Sequence, residues 1–441
     1  MFRVEYKYSA CIKIITDDTR ILCDPWFGSS AYDGTWHQFP RIKDKIKLVG
    51  DFDFIYISHI HPDHYCSETI SEFIHVLGDK KILIADWQEH HNFLAKKLAS
   101  DGFQDYLEIT NELLIGDTLI KIIPNRTDSF SDIDTALIVS SIRSRKSVLN
   151  INDCVFNQNF CDSINEFKKR SGIEFTLFCL GYTGAGPYPQ TYYSPIREET
   201  KLLQQAQSKK EQFFQRYLTA ISEIESKRRL PFAGKYVLKG DLSFLNKYRG
   251  VADALEVKEI DPGAIVLADG GDAYFDLETS TVSAERDERY NIPAYIPADI
   301  DYLWRRAVGF MPSDSLLKRL IVKAVQNAHV KSECIQDCLW TIHPYRNPSE
   351  LTYILNAEKP WEEYNAITTF NCNKNSNPLK DVNCDAICHS HMFIETKALF
   401  AALTGITHWN NYEVGSVKQV RRIPDVFIAE MNTYLNFFSV I

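Results

Sequence analysis

The apolar run 52–57 ends in Ser58-His59-Ile60-His61-Pro62-Asp63-His64, three imidazoles and a carboxylate within six residues. Where a buried strand leaves its sheet the side chains fan out, so all four groups can face one pocket. Imidazole and carboxylate together suit zinc, iron or manganese. The bland alternative is a solvated polar loop after a strand. Three histidines so closely spaced favour the metal site.

Two aspartates strengthen that reading. Arg20-Ile-Leu-Cys23-Asp24-Pro25-Trp26 places an acid at the end of an earlier strand, and Leu149-Asn-Ile-Asn152-Asp153-Cys154 places another at the end of a later one. Each alone is a common turn residue. Strand-end acids that converge on one edge of a sheet are what a two-metal site requires: one carboxylate bridges the ions while another orients a ligating histidine from behind.

The rest of the chain supplies a scaffold for such an edge. Short apolar runs at 10–16, 20–23, 52–57, 81–85, 118–123, 135–139, 147–151 and 175–180 predict strands, and 68–77 and 88–101 predict helices. Strands alternating with helices and hairpins imply an α/β sandwich. A long charged helix is expected over 198–229, with Phe213, Phe214, Tyr217, Ile221 and Ile224 as its core stripe, followed by a strand over 231–238. Beyond about residue 260 the pattern weakens into turns and then mixed helix and strand. The chain of 441 residues therefore divides into a first domain, 1–260, and a C-terminal extension, 261–441, partly packed on it.

Composition bounds the partners. A net charge of −9 argues against nucleic acid, and no uncharged apolar run is long enough to predict a membrane span. Eleven cysteines, an odd number without a framework spacing, and a start without an apolar h-region predict a cytoplasmic protein with reduced thiols.

The motif His59-x-His61-x-Asp63-His64, with Asp24 before it and Asp153 after it, resembles the signature of the metallo-β-lactamase fold superfamily. Cys23-Asp24-Pro25-Trp26, Asp134-Thr135, Asn152-Asp153-Cys154, Pro231-Phe232-Ala233-Gly234, the stretch from Trp409 to Gly415, and Arg421-Arg422-Ile-Pro424-Asp425 look most like the hydrolase-like portion of the CMP-N-acetylneuraminate hydroxylase group. The resemblance implies an αββα sandwich with a mixed α/β extension. It implies one or two divalent transition metals, zinc or iron with manganese as a further candidate. His59 and His61 would bind the first metal, Asp63 and His64 would face the second, Asp153 would bridge, and Asp24 would sit behind. Asp63 is also a candidate base for the attacking water.

Three departures separate the chain from that pattern. The loop 124–130 lacks the superfamily's histidine, and Asp128 is the best substitute ligand. The strand over 231–238 lacks the late histidine. The iron–sulfur domain of the hydroxylases is missing, since Cys388-His389-Ser-His391 matches only half of a Rieske pattern. Three functions therefore stay open: a metal-dependent hydrolase acting on a small anionic nucleotide-sugar or phosphodiester substrate, an iron-dependent oxygenase component served by a redox partner, and a non-catalytic binding protein. Tyr182, Lys235 and Lys239 are candidate substrate contacts. Cys384, Cys388, His389 and His391 read as a loop with reduced thiols rather than a zinc site, and Cys334 and Cys338 as a packed helical pair. His408-Trp409-Asn410-Asn411 is unusual in composition and suggests no mechanism.

Overall fold

The computed structural model describes all residues except 89–91, 128–131, 294, 297, 299 and 357–363. Two sheets form its centre. The first has eight strands, with Cys11–Ile15, Arg20–Cys23, Phe54–Tyr56 and Lys81–Ala85 in the middle and Tyr106–Ile109 at one edge. The second has six, in the order Arg228–Phe232, Glu174–Gly181, Lys146–Asn152, Thr135–Ser141, Thr118–Pro124 and Glu112–Ile115.

The central strands of both sheets are buried on both faces, which is why they read as apolar runs rather than alternating ones. In Thr135–Ser141, Leu137 and Val139 point into the layer between the sheets, beside Ile12, Ile14 and Tyr56. Ala136 and Ile138 point the other way, onto the helices Gln158–Ser171 and Glu199–Glu223. The free face of the first sheet packs on the helices Ser67–Leu77 and Phe93–Ser100. Helix, sheet, sheet, helix is the αββα sandwich expected from the sequence.

The expected long helix is shorter, Glu199–Glu223, because the chain turns to begin the strand Arg228–Phe232. The strand expected over 231–238 is two: Arg228–Phe232 joins the second sheet, whereas Val237–Leu238 pairs with Trp36–His37. A break at Ala233 and Gly234, both at positive φ (69° and 70°), separates them. Beyond the expected boundary at 260, Tyr274–Asp276 and Thr281–Val282 still add two strands to the first sheet.

The extension builds a four-stranded sheet in the order Thr368–Asn371, Cys338–Tyr345, Cys388–Glu395, Gln419–Ile423. Its core side chains Trp340, Tyr412 and Tyr434 belong to the same apolar cluster as Trp26, Trp36 and Tyr236 of the first part. Cys388, His389 and His391 thus lie on a strand, not on the expected loop. Cys334 and Cys338 are buried as expected, but Cys338 opens a strand and the helix before them ends at Val330. All eleven cysteines are free thiols. Among the described residues no helix is long and apolar enough to cross a membrane.

Candidate metal centre

Three strand ends meet at one edge of the sandwich. Arg20–Cys23 and Phe54–Tyr56 run parallel with Cys23 opposite Tyr56, so Asp24 and the Ser58–His64 turn emerge side by side. The second sheet delivers Asp153 just beyond Lys146–Asn152. Tyr56 and Thr135 lock the two sheets together there: the Tyr56 hydroxyl donates to the Thr135 carbonyl at 3.0 Å, and the Thr135 hydroxyl donates to the Ser58 carbonyl at 2.8 Å.

Asp24 is the hub behind the site. It is fully buried and accepts hydrogen bonds from the Ser58 amide (2.7 Å), the Ser58 hydroxyl (2.9 Å) and the Asn152 side chain (2.6 Å), with His64 Nδ1 at 3.2 Å. Asp24 and Asn152 both adopt left-handed backbone (φ 43° and 46°). Asp and Asn visit that region more readily than other non-glycine residues, which suits the two tight exits from the sheets.

With Nδ1 of His64 held by Asp24, its Nε2 faces Asp63 Oδ2 and Asp153 Oδ2, each at 3.5 Å. His59 Nε2 and His61 Nδ1 face each other at 2.9 Å. One ligand atom each from His59, His64 and Asp153 lies within 4.8 Å of the others, a compact imidazole–carboxylate set. These donors fit a divalent transition metal, being the imidazole-nitrogen and carboxylate-oxygen mixture that zinc and iron accept. Asp153 is 42 % exposed while His59 and His64 are closed off, so the centre opens to solvent on the Asp153 side.

Protonation preferences follow the surroundings. Burial pulls His59 well below its ordinary value, helped by His64 and His61. Burial likewise lowers His61, against the opposing pull of Asp63. For His64 burial is overcome by Asp63 and Asp153, and its value rises well above the ordinary one. Asp134 lies 3.7 Å from His59 Nδ1, and burial together with Asp153 pushes it up to about 7.

The remaining expected residues are placed as follows. Asp128 lies outside the described residues. Lys235 is ion-paired with Asp269 and bonded to Tyr290, and it shares a small cavity with Tyr182, Tyr6 and Arg286. Lys239 lines a separate open cleft of about 610 Å³ with His37, Arg41, Lys43 and Lys45.

Several side chains at the centre were not expected there from the sequence. The Tyr32 hydroxyl donates to Asp63 Oδ1 at 2.7 Å, and its ring packs on Trp36, which stacks on Tyr236 with centroids 3.4 Å apart. The helix Trp409–Val414 of the extension reaches the same place. Asn410 Nδ2 lies 3.5 Å from His61 Nε2, Asn411 Nδ2 donates to both oxygens of Asp33 at 3.2 Å, and Trp36 Nε1 donates to the Val414 carbonyl at 3.3 Å. Gly415 permits this approach, since a Cβ there would sit 2.6 Å from Thr35 Oγ1 and from the Asn411 carbonyl. The odd run His408–Asn411 is thus explained by its contacts, which only the fold creates.

Asp33 carries a testable cost. Burial pushes its carboxyl up to about 6, against the hydrogen bonds from Asn411. A folded value above the unfolded one means that ionisation opposes folding: the penalty is absent below about pH 4 and complete above about pH 6. D33N is therefore expected to raise unfolding stability by up to about 3 kcal/mol at pH 8 and by nothing at pH 4, read from urea midpoints at the two pH values.

Residues 3–129 match the family model of the beta-lactamase superfamily domain. A protein of Mycolicibacterium smegmatis provisionally named a Rieske 2Fe-2S iron-sulfur protein is 29% identical over 189 residues, 40% of this chain and 33% of the relative. Cytidine monophosphate-N-acetylneuraminic acid hydroxylase of Cricetulus griseus is 30% identical over 87 residues, 19% of this chain and 15% of that enzyme. The chain spans about a third of the length of the first curated relatives it matches. Among solved structures, a possible metal-dependent hydrolase from Veillonella parvula superposes with TM-score 0.43 and 14% identity, over 61% of this chain and 98% of that one. CmlA, a diiron beta-hydroxylase from Streptomyces venezuelae, gives 0.39 and 16% over 60% and 52%. The stretch that matches the beta-lactamase superfamily domain model, residues 3–129, includes Asp24 and the whole His59–His64 turn.

Proposed function

We propose that the protein is a metal-dependent hydrolase in which His59, His61, Asp63, His64 and Asp153 hold one or two divalent transition metals. The observation that carries this is the convergence of His59, His64 and Asp153 ligand atoms within 4.8 Å at the mouth of the sandwich. A bound divalent metal there lowers the pKa of a water and polarises an oxygen of the substrate. The chain's own groups do the rest. Asp24 fixes the ring of His64, and Tyr32 engages one oxygen of Asp63 so that the other stays turned toward His64. In the alternative role, as base rather than ligand, Asp63 would orient the attacking water and accept its proton. Asp134 is the described acid beside His59, and Asp128 keeps its role as a candidate ligand.

An anionic substrate, a phosphodiester or a nucleotide-linked sugar, would meet Arg41, Lys43 and Lys239 in the Lys239 cleft, whose lining also carries Asp44, Glu68 and Glu72. Lys235 and Tyr182 are retained as candidate contacts, although Asp269 already matches the charge of Lys235.

The test is hydrolysis of bis-p-nitrophenyl phosphate by protein reconstituted with zinc, manganese or iron. Turnover is expected to vanish on chelation, to return with metal, and to fall on the order of 100-fold or more in H61A, since a misplaced ligand of this kind is lost from the metal's full set of donors. Less than one metal per chain after reconstitution overturns the reading, and tight metal without turnover favours a binding protein.

A second reading, an iron-dependent oxygenase component with a redox partner, draws on the match to the hydroxylase. Anaerobically purified protein that is brown, holds iron and leaves the diester intact would favour it.

A further inference from the structure

We infer that Asn410, supplied by the C-terminal extension, is a positioning residue of the metal centre: its side-chain amide orients His61 through Nε2, the ring nitrogen on the side away from His59. The inference rests on the metal-binding part of the proposed function, and on nothing about the reaction.

Each histidine of the cluster has one nitrogen turned inward and one turned out. His59 turns Nε2 inward, toward His61, and its Nδ1 lies 2.9 Å from the Ser58 hydroxyl. His64 turns Nε2 toward Asp63 and Asp153, and its Nδ1 meets Asp24 at 3.2 Å. His61 turns Nδ1 inward, 2.9 Å from His59 Nε2, and its outward Nε2 meets the Asn410 amide at 3.5 Å. Imidazole has two nitrogens, and when one binds a metal the other must carry the proton and donate it. A half-turn of the Asn410 amide exchanges its NH₂ for its oxygen, so the same side chain becomes the acceptor that a metal-bound His61 needs. Ser58 and Asp24 fill the equivalent places for the other two rings.

Asn410 is not held there by chance contact. Its neighbour Asn411 bonds Asp33, the end of its helix receives Trp36 Nε1 at Val414, and Gly415 closes against Thr35. All three partners lie within the segment 33–36, next to Tyr32, which holds Asp63. The extension is thereby part of the centre.

Three proteins decide the matter: the full chain, N410L and N410D. N410L keeps the volume and removes the acceptor, and N410D keeps an acceptor. The affinity of each for Co²⁺ is measured by competition with a chelator, with the Co²⁺ absorption bands as a second readout and the thermal midpoint of the metal-free protein as the control for folding. N410L is expected to bind Co²⁺ about 10–100-fold more weakly with altered bands and an unchanged metal-free midpoint, and N410D to recover to within about threefold of the full chain. Equal Co²⁺ affinity and bands in N410L and the full chain overturn this inference alone. Equal weakness of N410L and N410D overturns it too, since packing rather than an acceptor would then matter. Failure of the unaltered chain to bind Co²⁺ overturns the metal centre itself, and the inference with it.

Discussion

D153A is expected to lose hydrolytic activity on the order of 10³-fold or more, together with at least half of the bound metal. Loss of a partner behind a ligand typically costs about 10–100-fold, and loss of a donor atom itself costs more. Asp153 is the acid that links the two sets of nitrogens: it groups with His59 and His64 within 4.8 Å, and its Oδ2 lies 3.5 Å from His64 Nε2. Because its side chain is 42 % exposed, truncation leaves no buried cavity and opens no core. The folded state should therefore survive, and metal-free D153A should unfold within about 0.5 kcal/mol of the parent chain. Metal content by elemental analysis and turnover of the diester are read together. Full metal content with full turnover in D153A would remove Asp153 from the centre.

The opposite balance is expected at Asp24. D24A should destabilise the metal-free protein by about 3–5 kcal/mol, because it strands a buried histidine and several donors at once. The donors are the Ser58 amide and hydroxyl and the Asn152 side chain, all within 2.9 Å of the carboxylate, with His64 Nδ1 at 3.2 Å. Alanine also tolerates the left-handed backbone at this position poorly, which adds about 1 kcal/mol. D24N keeps one acceptor and the volume, so its cost should be smaller by about half. Urea unfolding of the metal-free proteins measures both. A D24A midpoint equal to that of the parent chain would mean that the network contributes nothing to folding. Since Asp24 also fixes His64, residual folded D24A should bind metal about 10–100-fold more weakly.

These two aspartates show where the sequence sufficed. Both stand at the ends of apolar runs, and the period and length of those runs mark strands without any tertiary information. A strand buried on both faces must be apolar along its whole length, as Ala136, Leu137, Ile138 and Val139 are, and that pattern is local. The histidine turn is local too, because its three rings are within six residues. The α/β sandwich, and the clustering of the histidine turn and the strand-end acids Asp24 and Asp153 at one edge of it, were therefore legible.

What was not legible depends on segments far apart in the chain. The strand expected over 231–238 is broken because Ala233 and Gly234 take left-handed backbone to leave one sheet and reach another, a choice made by packing. Cys388-His389-Ser-His391 reads as polar and loop-like, yet it pairs residue by residue with Cys338–Thr341 and Arg421–Ile423, and all but the half-buried His389 are buried. Lys235 reads as a free cation, and Asp269, thirty-four residues on, takes its charge.

The sequence by itself determined the α/β sandwich and the edge where the imidazoles and acids gather, through hydrophobic period and through donor chemistry packed into a single turn. Only the tertiary structure decided which nitrogen of each histidine faces inward, because that depends on the partner of the other nitrogen. For His64 that partner is Asp24, forty residues earlier, and for His61 it is Asn410, 349 residues later. Hydrogen-bond direction between such distant groups has no periodicity and no composition, so it leaves no trace until the chain has folded.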